Sequence, residues 1–328
     1  MRYHVSGLAM TSRGGAGVTG VTAGHSSTGF VGRLQRRLPI ALSGGVRTLT
    51  PFGYARGMLP DTNQDGIQPN APVALVTMEI RHPATDSLSD SASREFKQLL
   101  INDLPIERQA QDLSWGMTTP GSPPTPVADR FVRYVNRDNT VAASLKSQAV
   151  VVETSAYSSF EAFSDIVLRV ADARAQVSSI VGVERIGLRY VLEIRVPTGF
   201  DGRVEWSNWI DEQLLGPQRL TPGGLALTEW QGAAVFREAQ PGKSLIVRYG
   251  PGVGQALDPS YHLRRTTPTQ TGPFFLMDID SFWTPPSGSI PEYNRDALIS
   301  TFQDLYGPAR VVFQDMITSR LKDELLRQ

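Results

Sequence analysis

An α+β fold built from a duplicated β-α-β-β-β-α unit, with antiparallel sheets and helices packed on one face, is predicted by three features of this 328-residue chain. The pattern Glu-Ile-Arg-x-Pro occurs twice, from Glu79 to Pro83 and from Glu193 to Pro197, each time closing a run that alternates apolar and polar residues. Short turn signals separate successive strand-like runs, which makes neighbouring strands antiparallel. Apolar residues at helical spacing follow each run of strands. The predicted organisation is an extension over residues 1–57, a first unit over 58–180 and a second over 181–328.

The first unit opens with Val73 to Arg81, where Val76, Met78 and Ile80 share one face and Thr77, Glu79 and Arg81 the other, as in a half-buried strand. A Ser- and Asp-rich stretch then caps a helix from about Ser91 to Asp103, which Pro105 stops. Gln109 to Asp129 holds Pro120, Gly121, Pro123, Pro124 and Pro126 and predicts a loop. Arg130 to Asn136, Thr140 to Leu145 and Ala149 to Thr154 read as a three-strand meander with turns at Arg137-Asp138-Asn139 and Lys146-Ser147-Gln148. Ser158 and Glu161 form a capping box for a long helix whose apolar stripe includes Phe160, Phe163, Val167 and Val170.

The second unit repeats the order. Ile186, Leu188, Tyr190, Leu192 and Ile194 alternate with Arg185, Arg189, Glu193 and Arg195, giving a strand with one buried and one charged face. A helix is expected around Trp206 to Leu215, then strands at Leu225 to Ala239, Ser244 to Tyr249 and Phe274 to Trp283. A Pro- and Gly-rich excursion from Gly250 to Pro273 separates the last two. Helices from Arg295 to Tyr306 and from Pro308 onward close the chain. On this reading Tyr157 corresponds to Phe282, and the two units join edge to edge in one curved sheet. TATA-binding-protein-like and helix-grip folds have that arrangement, an analogy of shape that carries no function.

Composition bounds the function classes. Apolar residues at 40% and charged residues at 20% suit a globular core, and no apolar run approaches the roughly 20 residues of a membrane-spanning helix. Zero cysteines exclude disulfides, thiolate metal sites and a Cys nucleophile, and a cytoplasmic location is the expectation. Lys plus Arg equals Asp plus Glu at 32 each, but residues 1–57 hold seven Arg and no Lys or acid, which leaves the rest at −7. That first segment is rich in Gly, Ser, Thr and Arg without sustained periodicity, so it is read as disordered. The abrupt change of composition after Met58 points to a translation start near that residue. Transit-peptide, twin-arginine (Arg36-Arg37) and phosphate-binding-arm readings of the segment compete with this one.

Three stretches carry a resemblance: Pro69-Asn70-Ala71-Pro72 leading into Val76-Thr77-Met78-Glu79-Ile80-Arg81; Val152 to Tyr157 with the Phe-rich helix after it; and Glu184 to Tyr190. Together with Phe313 to Thr318 they resemble a bacterial protein family of unknown function, sporadically distributed among genomes, over about residues 69–328. The resemblance implies no catalytic residues. A sporadic distribution implies horizontal transfer and an accessory or defence-associated role.

Several residues invite chemistry. Asp278 and Asp280 flank Ile279 on a strand, so both carboxylates point to one face, as in Asp-x-Asp pairs that hold a divalent cation beside a phosphate. The bland alternative is the polar face of a half-buried strand. His262, near Asp258 and beside Arg264 and Arg265, has the chemistry of a general base or phosphate contact, against the commoner solvated loop histidine. The Gly250, Gly252, Gly254 series lacks the spacing and the Lys-Ser or Lys-Thr of a phosphate loop, and no cofactor is expected. Arg81, Arg133, Arg189 and Arg195 lie on the polar faces of their strands. They are read either as surface ion pairs with Glu79 and Glu193 or as a basic binding face for nucleic acid or another anionic partner.

With no Ser-His-Asp or paired-Glu arrangement, a non-enzymatic binding or assembly protein that self-associates or recognises a protein partner is the leading expectation. Nucleic-acid binding through the charged sheet face, and a metal-assisted enzyme acting on a phosphate-containing substrate, are the alternatives.

Overall fold

The computed structural model describes residues 72–327 except 117–124, 200–201, 217–219, 221–222, 224, 226, 228–229, 239–241, 259–260, 267–270 and 287–288. The readings made above for residues 1–57, Met58 and the start of the chain lie outside the described residues.

The order of elements is β1 (Val73–Arg81), α1 (Asp90–Leu99), β2 (Ile106–Gly116), β3 (Thr125–Val135), β4 (Val141–Lys146), β5 (Ala149–Thr154), α2 (Phe160–Val177) and β6 (Arg185–Ile194). After these come 3-10 turns at Trp206–Asn208 and Glu212–Leu214, then β7 (Gly232–Arg237), β8 (Lys243–Val253), β9 (Pro273–Trp283) and α3 (Arg295–Met316). Short helical turns at Ser319–Leu321 and Lys322–Leu326 follow. All nine strands join one antiparallel sheet in the order β2-β3-β4-β5-β1-β6-β9-β8-β7. β1 and β6, the two strands that carry the Glu-Ile of the repeated pattern at their ends, pair with each other at the middle, with Val76 opposite Tyr190, Met78 opposite Leu188 and Ile80 opposite Ile186.

Alternation then sorts the side chains. Val76, Met78, Ile80, Val150, Val152, Leu188, Ile194, Met277 and Ile279 are buried on one face, against Phe96 of α1, Phe163, Val167 and Val170 of α2, and Leu298, Phe302 and Leu305 of α3. Each such side chain contributes roughly 1.5–3 kcal/mol of transfer free energy. Phe160 and Tyr306 stack at 4.2 Å where α2 meets α3. The helices start on side-chain caps: Ser89 accepts from Ala92 N, Ser159 from Ala162 N and Asn294 from Ala297 N. The α2 cap is thus Ser159, one residue after the predicted Ser158.

Four expectations are corrected. The loop over Gln109 to Asp129 is largely two strands, because β2 and β3 pair along their whole length and this non-local pairing overrides the local Pro signal. The first half consequently has four strands after its helix. The helix predicted from Trp206 to Leu215 is two 3-10 turns. There Ile210 bridges to Ile317, Asp211 N–H donates to Met316 O, and Thr318 N–H donates to Trp209 O, so these groups bond to the end of α3 instead of to a helical ladder. Pro308 does not divide the C-terminal helices; α3 runs through it, the burial of Leu298, Phe302, Leu305, Ala309 and Met316 outweighing a proline cost of about 3 kcal/mol.

The fourth correction is that β8 continues through Pro251 to Val253, which shortens the excursion to residues 254–272. Glu238 N–H donates to Lys243 O, so by alternation the odd-numbered residues of β8 point their backbone groups toward β7. β7 pairs no further than Gly232 with Tyr249, so among the described residues no ladder bond is lost at Pro251.

Candidate functional site on the helix-free sheet face

The face turned away from the helices is crossed near one end by a strap made of the described residues between 254 and 272. Ala256, Leu257 and Leu263 of the strap pack on Ala74, Leu75, Val135, Ala142, Val191 and Phe274, a small second core. Its backbone is tied to the β3–β4 turn and the end of β5. Arg264 N–H donates to Asn139 O at 2.7 Å, Asn139 Nδ2 to His262 O at 2.7 Å and Ser155 Oγ to Arg264 O at 2.6 Å.

Two carboxylates of the sheet anchor the strap. Glu153 of β5, 9% exposed, accepts from Tyr261 Oη at 2.6 Å, and its other oxygen lies 3.0 Å from His262 Nε2. Burial drives the Glu153 carboxyl upward, but His262, Tyr261 and the Arg133 charge outweigh it and hold the group below its ordinary range. Burial, with the Glu153 charge beside it, pushes the Tyr261 hydroxyl far above its ordinary value. Glu193 of β6 accepts from the Ala256 N–H at 2.7 Å, from Arg265 at 2.8 Å and from Arg195 at 2.7 Å. Burial likewise raises Glu193 and these donors reverse it, Arg265 foremost, for a net lowering. Arg195 also donates to the Gly254 and Gly272 carbonyls, clasping the two ends of the strap.

Beyond the strap the face is a lattice of guanidinium and carboxylate groups. Asp278, 4% exposed, takes Arg189 in a two-pronged contact at 2.6 and 3.0 Å and Arg248 at 3.3 Å. Burial opposes the charge on Arg189, yet the Asp278 bonds raise its pKa overall. Asp280 takes Arg185 at 3.2 Å to each oxygen, and Arg185 also reaches Glu79 at 2.8 Å, which Arg81 meets at 2.6 Å. Burial raises Asp280 further than Arg185 and Arg189 lower it. Gly187, opposite Glu79, makes the Arg185 geometry possible, because a Cβ there would run into the Arg185 guanidinium. Arg133 donates to Ser144 Oγ at 3.0 Å and lies over the Phe131 ring.

The sequence-derived candidates therefore fall on one surface. Arg81, Arg133, Arg189 and Arg195 share this face, as do Asp278 and Asp280, whose carboxylates are both engaged by arginines. No group of three or more metal-ligating side chains occurs among the described residues. His262 lies over the same face, but its carboxylate neighbour is Glu153, whereas Asp258 is linked to the next turn by the Tyr261 N–H donating to Asp258 O. Sequence reading put Arg185 on the charged face of its strand and Arg265 beside His262 without naming their partners, and it missed Glu153, Arg248 and Tyr261 as site residues. Strand alternation alone places Glu153 with Val151 and Arg248 with Ile246 on the polar face; the docking of the strap leaves no local signal.

Among the groups that anchor the strap and form the lattice, Arg81, Arg133, Arg185, Arg189, Arg195, Arg248 and Arg265 outnumber Glu79, Glu153, Glu193, Asp278 and Asp280, seven to five, within a body whose formal charge is negative. No protein-family model matches the chain, and no curated protein shows significant similarity to it. No helix among the described residues is long and apolar enough to cross a membrane.

Proposed function

We propose that this chain is a non-enzymatic binding or assembly protein that recognises a partner through the helix-free face of its sheet. The observation that carries the reading is the state of the acidic groups on that face. Glu79, Glu153, Glu193, Asp278 and Asp280 are already bonded to arginine, tyrosine or backbone donors, so this part of the surface is fixed in shape and charge before any partner arrives, which lowers the entropic cost of recognition. Arg81 and Arg248 stand most open to solvent and present unused N–H donors. Affinity capture from the native host with wild-type chain and with an Arg81→Glu, Arg248→Glu variant tests it. A partner retained by wild type and lost by the variant is the expected result; identical recovery by both would remove this face from recognition.

The excess of guanidinium groups favours a nucleic-acid partner as the second reading. Titration with single- and double-stranded DNA and RNA over a salt series is the test, with Arg189→Ala and Arg195→Ala as controls. Absence of salt-sensitive binding at low ionic strength eliminates it. An accessory or defence-associated setting fits either partner.

The finer fold reading, two duplicated units in a TATA-binding-protein-like or helix-grip-like arrangement, belongs to this proposal. The shift that carries Glu79 onto Glu193 carries Val76 onto Tyr190, and those two residues are direct partners, as an approximate two-fold axis through their pair requires. Thr154, beside Val76, then corresponds to Ile279, beside Tyr190. On the same mapping the strap occupies the place of the Ser147-Gln148 turn.

A further inference from the structure

The two edges of the sheet are unlike. β2 exposes Glu107, Arg108, Gln109, Gln111 and Asp112, a charged border of the kind that keeps sheets from joining. β7, with the sequence Gly-Ala-Ala-Val-Phe-Arg, carries no charge before Arg237. It exposes Val235 at 54% on the helix-free face and Phe236 at 52% on the other, where the helix layer does not cover it. Among the described residues no other segment hydrogen-bonds to its outer edge.

The direction of the free backbone groups follows from one bond. Because Glu238 N–H donates to Lys243 O, residues 236, 234 and 232 also point their backbone toward β8, and Ala233, Val235 and Arg237 point theirs outward. An antiparallel neighbour must match outward residues with outward residues. When that neighbour is a second β7 related by a two-fold axis, the register that engages all three sets Val235 opposite Val235 and Ala233 opposite Arg237. Phe236 then faces the small Ala234 of the other copy, so large meets small at both places and the sheet faces stay continuous.

We propose that the chain forms a two-fold dimer by antiparallel pairing of β7 with β7 of a second copy, centred on Val235, which joins two nine-stranded sheets edge to edge. This rests on the assembly part of the proposed function and names its interface.

The absence of cysteine makes the geometry directly testable. Val235→Cys sits on the axis, where paired Cα atoms are about 5.5 Å apart, within disulfide reach. Under mild oxidation the full chain bearing Val235→Cys should form an interchain disulfide at least tenfold faster than Phe236→Cys or Ile106→Cys on the β2 edge. Light scattering after size-exclusion at about 50 micromolar, where mass action favours association, should give twice the chain mass for wild type and Ile106→Lys. The same measurement should give a monomer for Val235→Lys. Equal cross-linking at the three cysteine positions, or a Val235→Lys dimer, overturns the β7 interface while leaving assembly standing; a monomeric wild type overturns both.

Discussion

Tyr261 donates its hydroxyl to Glu153 at 2.6 Å, a bond from the strap to a strand of the other half of the chain. Because the acceptor is a buried carboxylate, the bond is charge-assisted and is worth about 1.5–3 kcal/mol. Tyr261→Phe should lower unfolding stability by that amount in urea titrations, while the Phe ring keeps its contact with His262. An unchanged midpoint would mean that the strap is held by its backbone bonds alone.

Acid should weaken the fold through both strap anchors. Glu153 and Glu193 are held below the ordinary value of 4.5, so the unfolded chain takes up protons first as pH falls. Their stabilisation is complete above the unfolded value and is lost as pH drops through the lower folded values. Urea midpoints for wild type should therefore fall as pH goes below 4.5, and Glu153→Gln should show a shallower dependence over that window. Parallel curves would show that Glu153 is not linked to folding.

Removing one member of the Asp278 cluster should cost more than removing both charges. Arg189→Ala leaves a buried carboxylate with only Arg248, and with Arg189 about a third exposed the loss is expected at about 1–3 kcal/mol. Arg189→Met combined with Asp278→Leu should recover part of it. A double-mutant cycle on thermal melts reads the coupling.

Gly187→Ala tests whether the space above β6 matters. The added methyl must push the Arg185 side chain aside and break its contacts with Glu79 and Asp280, because the chain rather than the backbone is what yields. A loss of about 1 kcal/mol is expected, the range of surface ion-pair and packing terms together. Combined with Arg185→Ala, the glycine substitution should become nearly silent.

How far residues spoke for themselves depended on the range of the interaction that decides them. The faces of β1 and β6 were legible because Met78, Ile80, Leu188 and Ile194 alternate with charged neighbours, a signal two residues long. The shared face of Arg81, Arg133, Arg189 and Arg195 followed from the same rule. β2 was not legible, since its polar run Glu107 to Asp112 becomes a strand only by pairing with β3. Nor was the Trp206 to Leu215 region, whose backbone partners lie at Met316 to Thr318. The link from His262 to Glu153 joins residues far apart in sequence, so the nearer Asp258 was the only carboxylate that local reading offered.

The central position of β1 has a consequence for biosynthesis. It is the first strand of the sheet to leave the ribosome, yet its two neighbours are β5 and β6, with Thr154 and Tyr190 flanking Val76. Until both have been made, the segment Val-Ala-Leu-Val-Thr-Met-Glu-Ile-Arg has two unpaired edges and no Pro to blunt them. Non-local pairing of this kind is slow and leaves the nascent chain open to association with its neighbours. Glu79 and Arg81, placed at the end of that apolar run, then act as gatekeepers during synthesis before they become part of the finished surface.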